Sequence, residues 1–393
     1  MNRGAGPPDG TQSAAIVHDF FVTPGGAERC AVALADLLPS APVYTSFFDR
    51  RAFAGQLDGA RVRTWPIQRL VAPSEAFRSL FPLYALYFGT LRLARPTLVV
   101  SSSIAFSKAV RTSPGATHIS YVYTPMRYAW DLDTYLDGSS LPLPARLAAR
   151  AIRPFMQTWD RRTARRPNVI VAISREVARR IERVWRREAD TVIYPPVEID
   201  EIPLGDHDDG YFLVAARLLA YRRIDLAVRA CTKLNRRLIV VGDGPEAARL
   251  RTMAGPSVTF RGRVDRAELL DLLGRCHAYL MPGAEDFGIA PVEAMAAGKP
   301  VVAFARAGAL ETVIEGESGV FFDRQEVDDL VRAIGELDQA SFDPSRVRVL
   351  ASRFDAATFR RAWRDLLTSR GFGGLLAREG ADHPNGRLNP APR

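Results

Sequence analysis

The stretch that decides the fold runs from Met281 to Ala303 and reads MPGAEDFGIAPVEAMAAGKPVVA. An apolar run leads into it, and Pro282 with Gly283 marks the end of a strand. Pro291 suits the first turn of a helix, which the sequence predicts to end at Gly298 before another short strand. The stretch therefore predicts a strand–loop–helix–strand unit of an α/β protein.

The loop of this unit combines two acids, Glu285 and Asp286, with the N–H groups of a helix start near Gly288. A helix N-terminus favours anions such as phosphate. The acids would repel a phosphate, but a carboxylate accepts hydrogen bonds from hydroxyl groups such as a ribose diol. The combination indicates a ligand with both phosphate and sugar. A surface loop with solvated acids is the alternative that spacing alone leaves open.

Glu285 and Glu293, with seven residues between them and FGIAPVEAMAAGKPVV around the second, resemble a known signature. It is the E-x7-E motif of retaining GT-B glycosyltransferases, specifically glycosyltransferase family 4. The resemblance covers about residues 14–370 and favours the mannosyltransferase-like subgroup of polysaccharide and O-antigen assembly. It implies an α/β fold of two doubly wound, Rossmann-like parallel-sheet domains facing an interdomain cleft. In that family the first Glu lies near the donor sugar, and the second binds the nucleotide ribose.

The pattern of strands and helices, together with this resemblance, implies the following organisation. It comprises a disordered tail (1–13), an N-terminal acceptor-binding domain (14–200), a linker (201–209), a C-terminal nucleotide-sugar-binding domain (210–353), a C-terminal helix returning to the first domain (354–371) and a second disordered tail (372–393). Alternating strands and helices predict parallel sheets with sites at the strand carboxyl ends. Residues 98–100 read as a buried strand and Ser101 to Ser103 as the loop after it.

Arginines follow the first predicted strand of the C-terminal domain. Arg217 matches the arginine of the family's R-L-x-x-x-K element, and Arg222 stands where lysine is usual, with Arg223 as an alternative. Two cations at one sheet edge can hold a diphosphate and stabilise its charge as it leaves. The resemblance thus implies Glu285, Arg217 and Arg222 as catalytic residues. It implies as donor-binding residues Gly25, Gly26, Gly242, Arg263, Phe287, Gly288, Ile289 and Glu293.

Two stretches of the N-terminal half carry further resemblance. HDFFVTPGGAER, residues 18–29, resembles the opening of the subgroup, in which the Gly-Gly loop lies near the donor phosphate and the acceptor. YTPMRYAWD, residues 123–131, resembles HTPMRYAWD with Tyr123 in place of the usual histidine. A tyrosine keeps a hydroxyl group but carries no charge near neutral pH. The resemblance implies that His18, Tyr123 and Arg127 lie near the acceptor and the sugar.

The chain has 393 residues, a net charge of +9 and a pI near 9.8. Such an excess suits nucleic acid, anionic lipid or phosphorylated substrates. No nucleic-acid-binding module is recognisable, so we predict no nucleic-acid partner. The three cysteines show no metal or redox spacing. Since GT-B relatives hold the diphosphate without a bound metal, we predict no metal and no cofactor besides the donor substrate, GDP-mannose by resemblance.

Residues 145–166 carry seven arginines against one acid, Asp160, and residues 77–93 are rich in Phe, Tyr and Leu. Both segments fit an anionic membrane surface. A solvated basic face and a core helix pair broken at Pro82 are the respective alternatives. Leu147, Ile152, Phe155, Met156 and Trp159 form the predicted apolar side of the basic helix. No run is long enough to cross a membrane and no signal peptide is visible, so we expect a cytoplasmic protein, with peripheral attachment to the inner face of the membrane left open.

The function that the resemblance implies is a retaining transfer of a hexose, mannose from GDP-mannose, to a lipid-linked oligosaccharide in cell-surface polysaccharide synthesis. One alternative is a UDP-sugar-dependent GT-B transferase that acts on a small soluble acceptor. Another is a non-catalytic sugar-nucleotide-binding protein, which Tyr123 in place of histidine makes conceivable.

Overall fold

The computed structural model describes residues 12–70, 81–133 and 143–377. The chain divides into two compact units. Unit 1 comprises Met1–Trp130, Arg153–Pro196 and Phe359–Arg393, and unit 2 comprises Asp131–Ile152 and Val197–Thr358. Each unit contains one large parallel sheet with helices between its strands, which confirms the predicted α/β class.

The strands of unit 1 are, in chain order, β1 (Ala14–His18), β2 (Val43–Thr45), β3 (Val62–Thr64), β4 (Arg92–Leu93), β5 (Leu98–Ser103), β6 (Arg111–Thr112), β7 (Thr117–Val122), β8 (Val169–Ala172) and β9 (Thr191–Val192). Seven of them form a sheet in the order β3-β2-β1-β5-β7-β8-β9, while β4 pairs with β6. The chain adds strands outward from β1 on one side and from β5 on the other. Their boundary is therefore a topological switch point, the place where open α/β sheets bind ligands.

The predicted loop from Ser101 to Ser103 is wrong, because these serines are the last three residues of β5 and are buried. Their hydroxyl groups find partners on neighbouring strands: the Oγ of Ser101 lies 2.9 Å from Nε2 of His118. Buried polar groups are tolerated when they are hydrogen-bonded. The hydrophobic pattern of the sequence showed only the apolar part of this strand, residues 98–100.

The strands of unit 2 are β10 (Phe212–Ala215), β11 (Leu238–Val241), β12 (Val258–Gly262), β13 (Ala278–Met281), β14 (Val301–Phe304) and β15 (Gly319–Phe322). Each lies within two residues of the range that the hydrophobic pattern predicts, namely 211–215, 238–241, 258–260, 278–280, 301–304 and 319–321. Their order is β12-β11-β10-β13-β14-β15, and all neighbours are parallel. The switch point of this sheet lies between β10 and β13.

The helices are α1 (Gly26–Leu37), α2 (Phe81–Thr90), α3 (Arg127–Trp130), α4 (Leu143–Thr163), α5 (Arg175–Trp185), α6 (Ile224–Lys233), α7 (Ala247–Met253), α8 (Arg266–Arg275), α9 (Ile289–Ala296), α10 (Ala309–Thr312), α11 (Val327–Gln339), α12 (Pro344–Ala351) and α13 (Ala356–Ser369). The described part of α2 includes Pro82 and continues past it to Thr90. Residues 71–80, part of the predicted helix pair, lie outside the described residues. None of the described helices is long and apolar enough to cross a membrane.

The predicted apolar side of α4 is wrong in part, because Leu147, Ile152 and Phe155 are exposed. The buried side of α4 is centred on Asp160, whose carboxylate lies 2.7 Å from the Lys108 ammonium. The same carboxylate accepts hydrogen bonds from two tryptophan indole groups. A paired and hydrogen-bonded charge can occupy the interior. This is why the helix turns an acid inward and several large apolar residues outward.

Most of the two predicted tails, residues 1–11 and 378–393, lies outside the described residues. The described ends contact unit 1: the Ala377 N–H donates to the Leu37 carbonyl at 3.0 Å. The predicted linker, residues 201–209, lies along unit 2, where the Gly205 N–H donates to the Ala297 carbonyl at 3.0 Å. From Phe359 onward the chain belongs to unit 1.

Candidate active site

The switch point of unit 2 brings together the loops that follow β10 and β13. Tyr279 in β13 ties the two strands, since its hydroxyl donates to the Ala215 carbonyl at 2.9 Å. Arg217 and Arg222 lie in the loop after β10, and Glu285 lies in the loop after β13. Two adjacent parallel strands thus deliver the three predicted catalytic residues to one edge of the sheet.

Arg222 and Glu285 form a direct ion pair between Nη1 and Oε1. Gly283 permits this approach, because a Cβ there would come within 2.7 Å of the Arg222 Cα. Burial lowers the pKa of the Arg222 guanidinium, but the Glu285 carboxylate and the Tyr221 and Tyr279 side chains together outweigh it, so the pKa is raised. The Nε of Arg222 is buried and has no hydrogen-bond partner among the described residues. One guanidinium therefore contacts the carboxylate and keeps further donors for an anion.

The two neighbouring arginines differ from Arg222. Arg217 is exposed, directly after β10. Arg223 pairs with Asp225 at 3.2 Å and contacts Gln325. Arg222, not Arg223, is thus the cation in contact with Glu285.

The helix α9 begins beside this pair. Its N-cap residue is Gly288 at φ +92°, a left-handed conformation that favours glycine, and no side chain caps the helix. The first turn, which opens with Ile289, contains no acidic residue. Phe287 is buried, with its ring 5.1 Å from that of Phe354. A ligand at this helix start would therefore meet backbone N–H groups rather than the Phe287 ring.

Glu293 lies on α9, one turn past the helix start, and its side chain is only 5% exposed. Its Oε1 accepts from Nη1 of Arg266 at 2.6 Å. Arg266 is the first residue of α8. Sequence reasoning missed this arginine, because its position in a charged helix start gives no hint of a partner 27 residues further along the chain.

The remaining predicted donor-binding residues of unit 2 follow the strands beyond β10. Gly242 follows β11, and its N–H donates to the Gly262 carbonyl at 2.6 Å. Arg263 follows β12 and is exposed. Both lie at the same sheet edge as Arg222, on strands successively further from it.

A buried hydrogen-bonded chain occupies the matching edge of unit 1. The Nδ1 of His18 lies 3.0 Å from the Ser102 carbonyl and from the Ser102 hydroxyl. The Ser102 hydroxyl lies 2.8 Å from the Tyr123 hydroxyl, which donates to the Ala27 carbonyl at 2.8 Å. The structure thus joins His18 and Tyr123 through Ser102 and anchors the first turn of α1.

Burial keeps this chain neutral. It lowers the pKa of His18 to about 3, against the opposing effect of backbone hydrogen bonds. It also raises the pKa of Tyr123 well above its usual value. The Nε2 of His18 has no hydrogen-bond partner among the described residues.

Asp19 follows β1 and fills the switch point of unit 1. Its two carboxylate oxygens accept hydrogen bonds at 2.6 to 2.9 Å from four consecutive N–H groups, those of residues 104–107 after β5. Such a row of N–H groups is an anion-binding arrangement. Here the anion is the protein's own side chain. The sequence placed Asp19 after a strand but gave no sign of this partner.

The Gly-Gly loop begins α1. Gly25 is its N-cap in an extended conformation, and Gly26 is its first residue. The buried Glu28 lies against this loop, since a Cβ on Gly25 would come within 2.7 Å of its Oε2. Burial raises the pKa of Glu28 to about 7. Arg127, partly buried, is the first residue of α3 in the same unit.

The residues described here contain no group of three His, Cys, Asp or Glu side chains suited to a metal ion. The side chains and backbone at the unit 2 edge supply cations, carboxylates and N–H groups.

Known proteins resemble both halves of the chain. Residues 24–201 match the model of Glycosyltransferase Family 4, and residues 198–347 match that of Glycosyl transferases group 1. A GDP-mannose-dependent alpha-(1-6)-phosphatidylinositol monomannoside mannosyltransferase of Mycolicibacterium smegmatis is 29% identical over 215 residues, which cover 47% of this chain and 56% of that protein. Glycogen synthase of Mycobacterium tuberculosis is 31% identical over 192 residues, 45% of each chain. The chain spans about half the length of the curated relatives it matches.

A solved structure extends the comparison. Anabaena Alr3699/HepE, in complex with UDP and glucose, has a TM-score of 0.65 at 18% identity and covers 91% of this chain and 100% of its own. At this identity the likeness shows the fold alone, and it confirms the predicted GT-B fold. Residues 24–201 are thus similar to glycosyltransferase family 4 and residues 198–347 to glycosyl transferases group 1, in a chain with the GT-B fold.

Proposed function

We propose that the protein is a retaining glycosyltransferase that moves mannose from GDP-mannose to a lipid-linked oligosaccharide in cell-surface polysaccharide synthesis. The observation that carries the proposal is the cluster at the unit 2 switch point, where Arg222, Glu285 and the start of α9 meet. Cations beside an uncapped helix start favour a diphosphate. Carboxylates beside them favour sugar hydroxyl groups. A nucleotide-sugar contains both.

In the proposed reaction, Arg217, Arg222 and the N–H groups at the start of α9 hold the donor diphosphate. Their positive charge stabilises the negative charge that develops on the leaving phosphate. Glu285 accepts hydrogen bonds from the donor sugar, and Glu293 from the ribose. The sugar is displaced on its front face, and the leaving phosphate helps to deprotonate the acceptor hydroxyl. No metal takes part in this proposal.

The Arg222–Glu285 pair brings a guanidinium and a carboxylate of the proposed donor site into contact, so that their charges neutralise each other. A guanidinium has five donors in a fork, so it can contact Glu285 and a phosphate at once. A lysine ammonium is a compact point charge with no such fork. We infer that arginine at this position couples diphosphate binding to the orientation of Glu285.

The mannosyl donor is supported by the relatives named as GDP-mannose-dependent, which include the Mycolicibacterium smegmatis protein. A solved structure in complex with UDP-glucose supports the UDP-sugar alternative. A donor screen with a polyprenyl-diphosphate-linked glycan tests the choice. We expect turnover of GDP-mannose, with retained anomeric configuration in the product by NMR. Turnover of UDP-sugars only would remove the mannosyl proposal, and an inverted product would remove the retaining one.

Helix α4 supports a membrane-bound acceptor. Its exposed residues Leu143, Leu147 and Phe155 are 65%, 55% and 67% exposed, and its one acid, Asp160, is buried. A helix surface that combines apolar side chains with arginines fits an anionic lipid surface. We propose that α4 attaches the protein to that surface, and that the acceptor reaches unit 1 near Gly25 and Gly26.

Sedimentation with vesicles tests this attachment. We expect the protein to pellet with vesicles that contain about a third anionic lipid, and Phe155→Asp to weaken pelleting several-fold. Val349→Asp is the matched control, because Val349 is 58% exposed on α12. Failure of the unmodified protein to pellet would favour a small soluble acceptor. Tight donor binding without transfer to any acceptor would favour a non-catalytic sugar-nucleotide-binding protein.

A further inference from the structure

Arg266, which is not among the site residues predicted from the sequence, contacts Glu293. The Glu293 side chain is 5% exposed and the Arg266 side chain 21% exposed. The guanidinium therefore reaches from the edge of unit 2 to a carboxylate that is almost fully enclosed. Their contact is a short, charge-assisted hydrogen bond of 2.6 Å between Nη1 and Oε1.

The backbone holds Arg266 firmly in this position. It is the first residue of α8, and the preceding residue, Asp265, caps the helix. The Asp265 carboxylate accepts from the Glu268 N–H at 2.8 Å. A capped helix start fixes the direction in which the first side chain leaves the helix. Glu293 is fixed in turn by the interior of α9, where its neighbours on both sides are buried.

A buried carboxylate needs a partner to remain in a protein interior. A carboxylate can also accept several hydrogen bonds at once, so a contact at Oε1 leaves it able to accept from a ligand. A cationic partner on one side fixes the plane of the carboxylate. That plane decides whether two vicinal hydroxyl groups can both donate to it.

We propose that Arg266 is a positioning residue, which orients the Glu293 carboxylate toward the ribose hydroxyl groups of a bound nucleoside diphosphate. This inference rests on the proposed function, in which Glu293 is the ribose acceptor. Arg266 touches Glu293 and acts on the nucleotide through it. The alternative is an ion pair that only stabilises unit 2.

The test compares two nucleotides, GDP and 2′,3′-dideoxy-GDP, by calorimetric titration of the unmodified protein, Arg266→Ala and Arg266→Lys. The dideoxy nucleotide lacks both hydroxyl groups that Glu293 would accept from. We expect Arg266→Ala to weaken GDP binding about tenfold, the loss typical of one charge-assisted hydrogen bond. We expect its effect on dideoxy-GDP to be less than about twofold, and Arg266→Lys to restore part of the GDP affinity.

Arg275→Ala is the matched control. Arg275 lies at the other end of α8 and pairs with Asp209 on the surface, so its loss should leave both affinities unchanged. Thermal unfolding of each variant checks that unit 2 is intact. If Arg266→Ala does not fold, the comparison of the two nucleotides is made with Arg266→Lys, for which we expect a smaller loss that is again confined to GDP.

Two results would overturn the inference. An equal loss of affinity for both nucleotides would mean that Arg266 supports the fold of the site and not the ribose contact. No loss for either would mean that Glu293 does not depend on Arg266. If the unmodified protein binds neither GDP nor UDP, the proposed function fails as well, and this outcome is distinct from a failure of the Arg266 variants alone.

Discussion

The two switch points of this protein are built on the same plan and filled in opposite ways. In unit 1, Asp19 lies at the edge between β1 and β5, and its carboxylate accepts hydrogen bonds from four backbone N–H groups. In unit 2, the edge between β10 and β13 holds the Arg222–Glu285 ion pair, which is partly exposed. At the unit 1 edge the backbone N–H groups bind a carboxylate of the protein itself. The unit 2 edge presents cations and an uncapped helix start.

The difference between the two switch points bears on which unit can bind a phosphate. The N–H groups after β5 are occupied by a side chain of the same unit, so an external anion would have to displace a buried carboxylate. Near β10 and β13, Arg222 pairs with Glu285 and is partly exposed, and Arg217 is exposed. Fold alone would have allowed a phosphate in either unit. The side chains at the two edges favour unit 2 as the site of the proposed phosphate contact.

The largest expected effect comes from breaking the unit 2 pair at its acid. Glu285→Ala should lower kcat for sugar transfer by about 100- to 1,000-fold, the cost of removing one contact made to the transition state. Nucleotide affinity should stay within about threefold, because the arginines that hold the diphosphate remain. Steady-state kinetics and calorimetric titration measure the two quantities. Glu317→Ala, at a surface ion pair, is the control. Equal losses in transfer and binding would show that the role of Glu285 is misassigned.

The next largest effect concerns the role of Asp19 at the unit 1 switch point. Asp19→Ala leaves four N–H groups without an acceptor, three of them on residues that are fully buried or nearly so, Ala105, Phe106 and Ser107. Each unsatisfied buried donor costs about 1–3 kcal/mol, so we expect the free energy of unfolding to fall by at least about 3 kcal/mol. Urea denaturation measures this, and added acetate should restore part of the loss by occupying the N–H groups. Unchanged stability would contradict the view that Asp19 fills this edge.

Arg222→Met tests the cation of unit 2. Removing one charge-assisted contact costs about 1.5–3 kcal/mol, so nucleoside diphosphate affinity should fall about 10- to 100-fold. Arg222→Lys should lose less, because it keeps the charge without the fork. Arg346→Met, which breaks a surface pair with Glu317, serves as the control in the same titration. Full affinity in Arg222→Met would mean that the diphosphate is held elsewhere.

The smallest effect concerns the neutral, buried histidines of unit 1. Burial lowers the pKa of His18 and of His118 to about 3, whereas the unfolded value is 6.5. The unfolded chain then takes up protons first as the pH falls below 6.5, so these groups lower stability on acidification. Each contributes up to about 1.4 kcal/mol per pH unit. Glu28, with its pKa raised to about 7, has the opposite sign between pH 4.5 and 7.

Because these contributions oppose each other, the measurement is a difference between variants. Urea unfolding at pH 7.5 and pH 5 should show a smaller acid-induced loss in His118→Asn than in the unmodified protein. His207→Asn is the control, since the His207 side chain is 67% exposed. The same acid-induced loss in all three proteins would contradict the assignment of His118 as a buried neutral group.

Much of the fold could be predicted from the sequence, because the central strands are nearly continuous apolar runs. Such runs are typical of parallel sheets covered on both faces. Ser101 to Ser103 escaped this pattern, since their burial depends on partners such as His118 on another strand. The apolar residues of α4 were misplaced for a similar reason, because Asp160 takes the inward position through Lys108. Whether a polar side chain is buried depends on contacts with residues elsewhere in the chain, and a local sequence pattern does not show these contacts.

The candidate site divides in the same way. Glu285 and Arg222 follow strand ends, so their meeting could be expected from parallel-sheet topology. The partners of Glu293 and Asp19 could not, because neither Arg266 nor the N–H groups of residues 104–107 belong to a motif that marks them as partners. The sequence therefore predicted which residues meet at the unit 2 edge better than it predicted which residues hold the other candidate side chains in place. Their predicted contacts with donor and acceptor stay predictions.

The most direct test of the central claim, that unit 2 binds a nucleoside diphosphate through Arg222 and its neighbours, is calorimetric titration of the purified protein with GDP, UDP and ADP without added metal. The account predicts binding, with a clear preference for GDP. A preference for UDP would keep the site and move the function to a UDP-sugar transferase. No binding of any of the three would contradict the claim that the strand-end arginines and the two glutamates form a donor site.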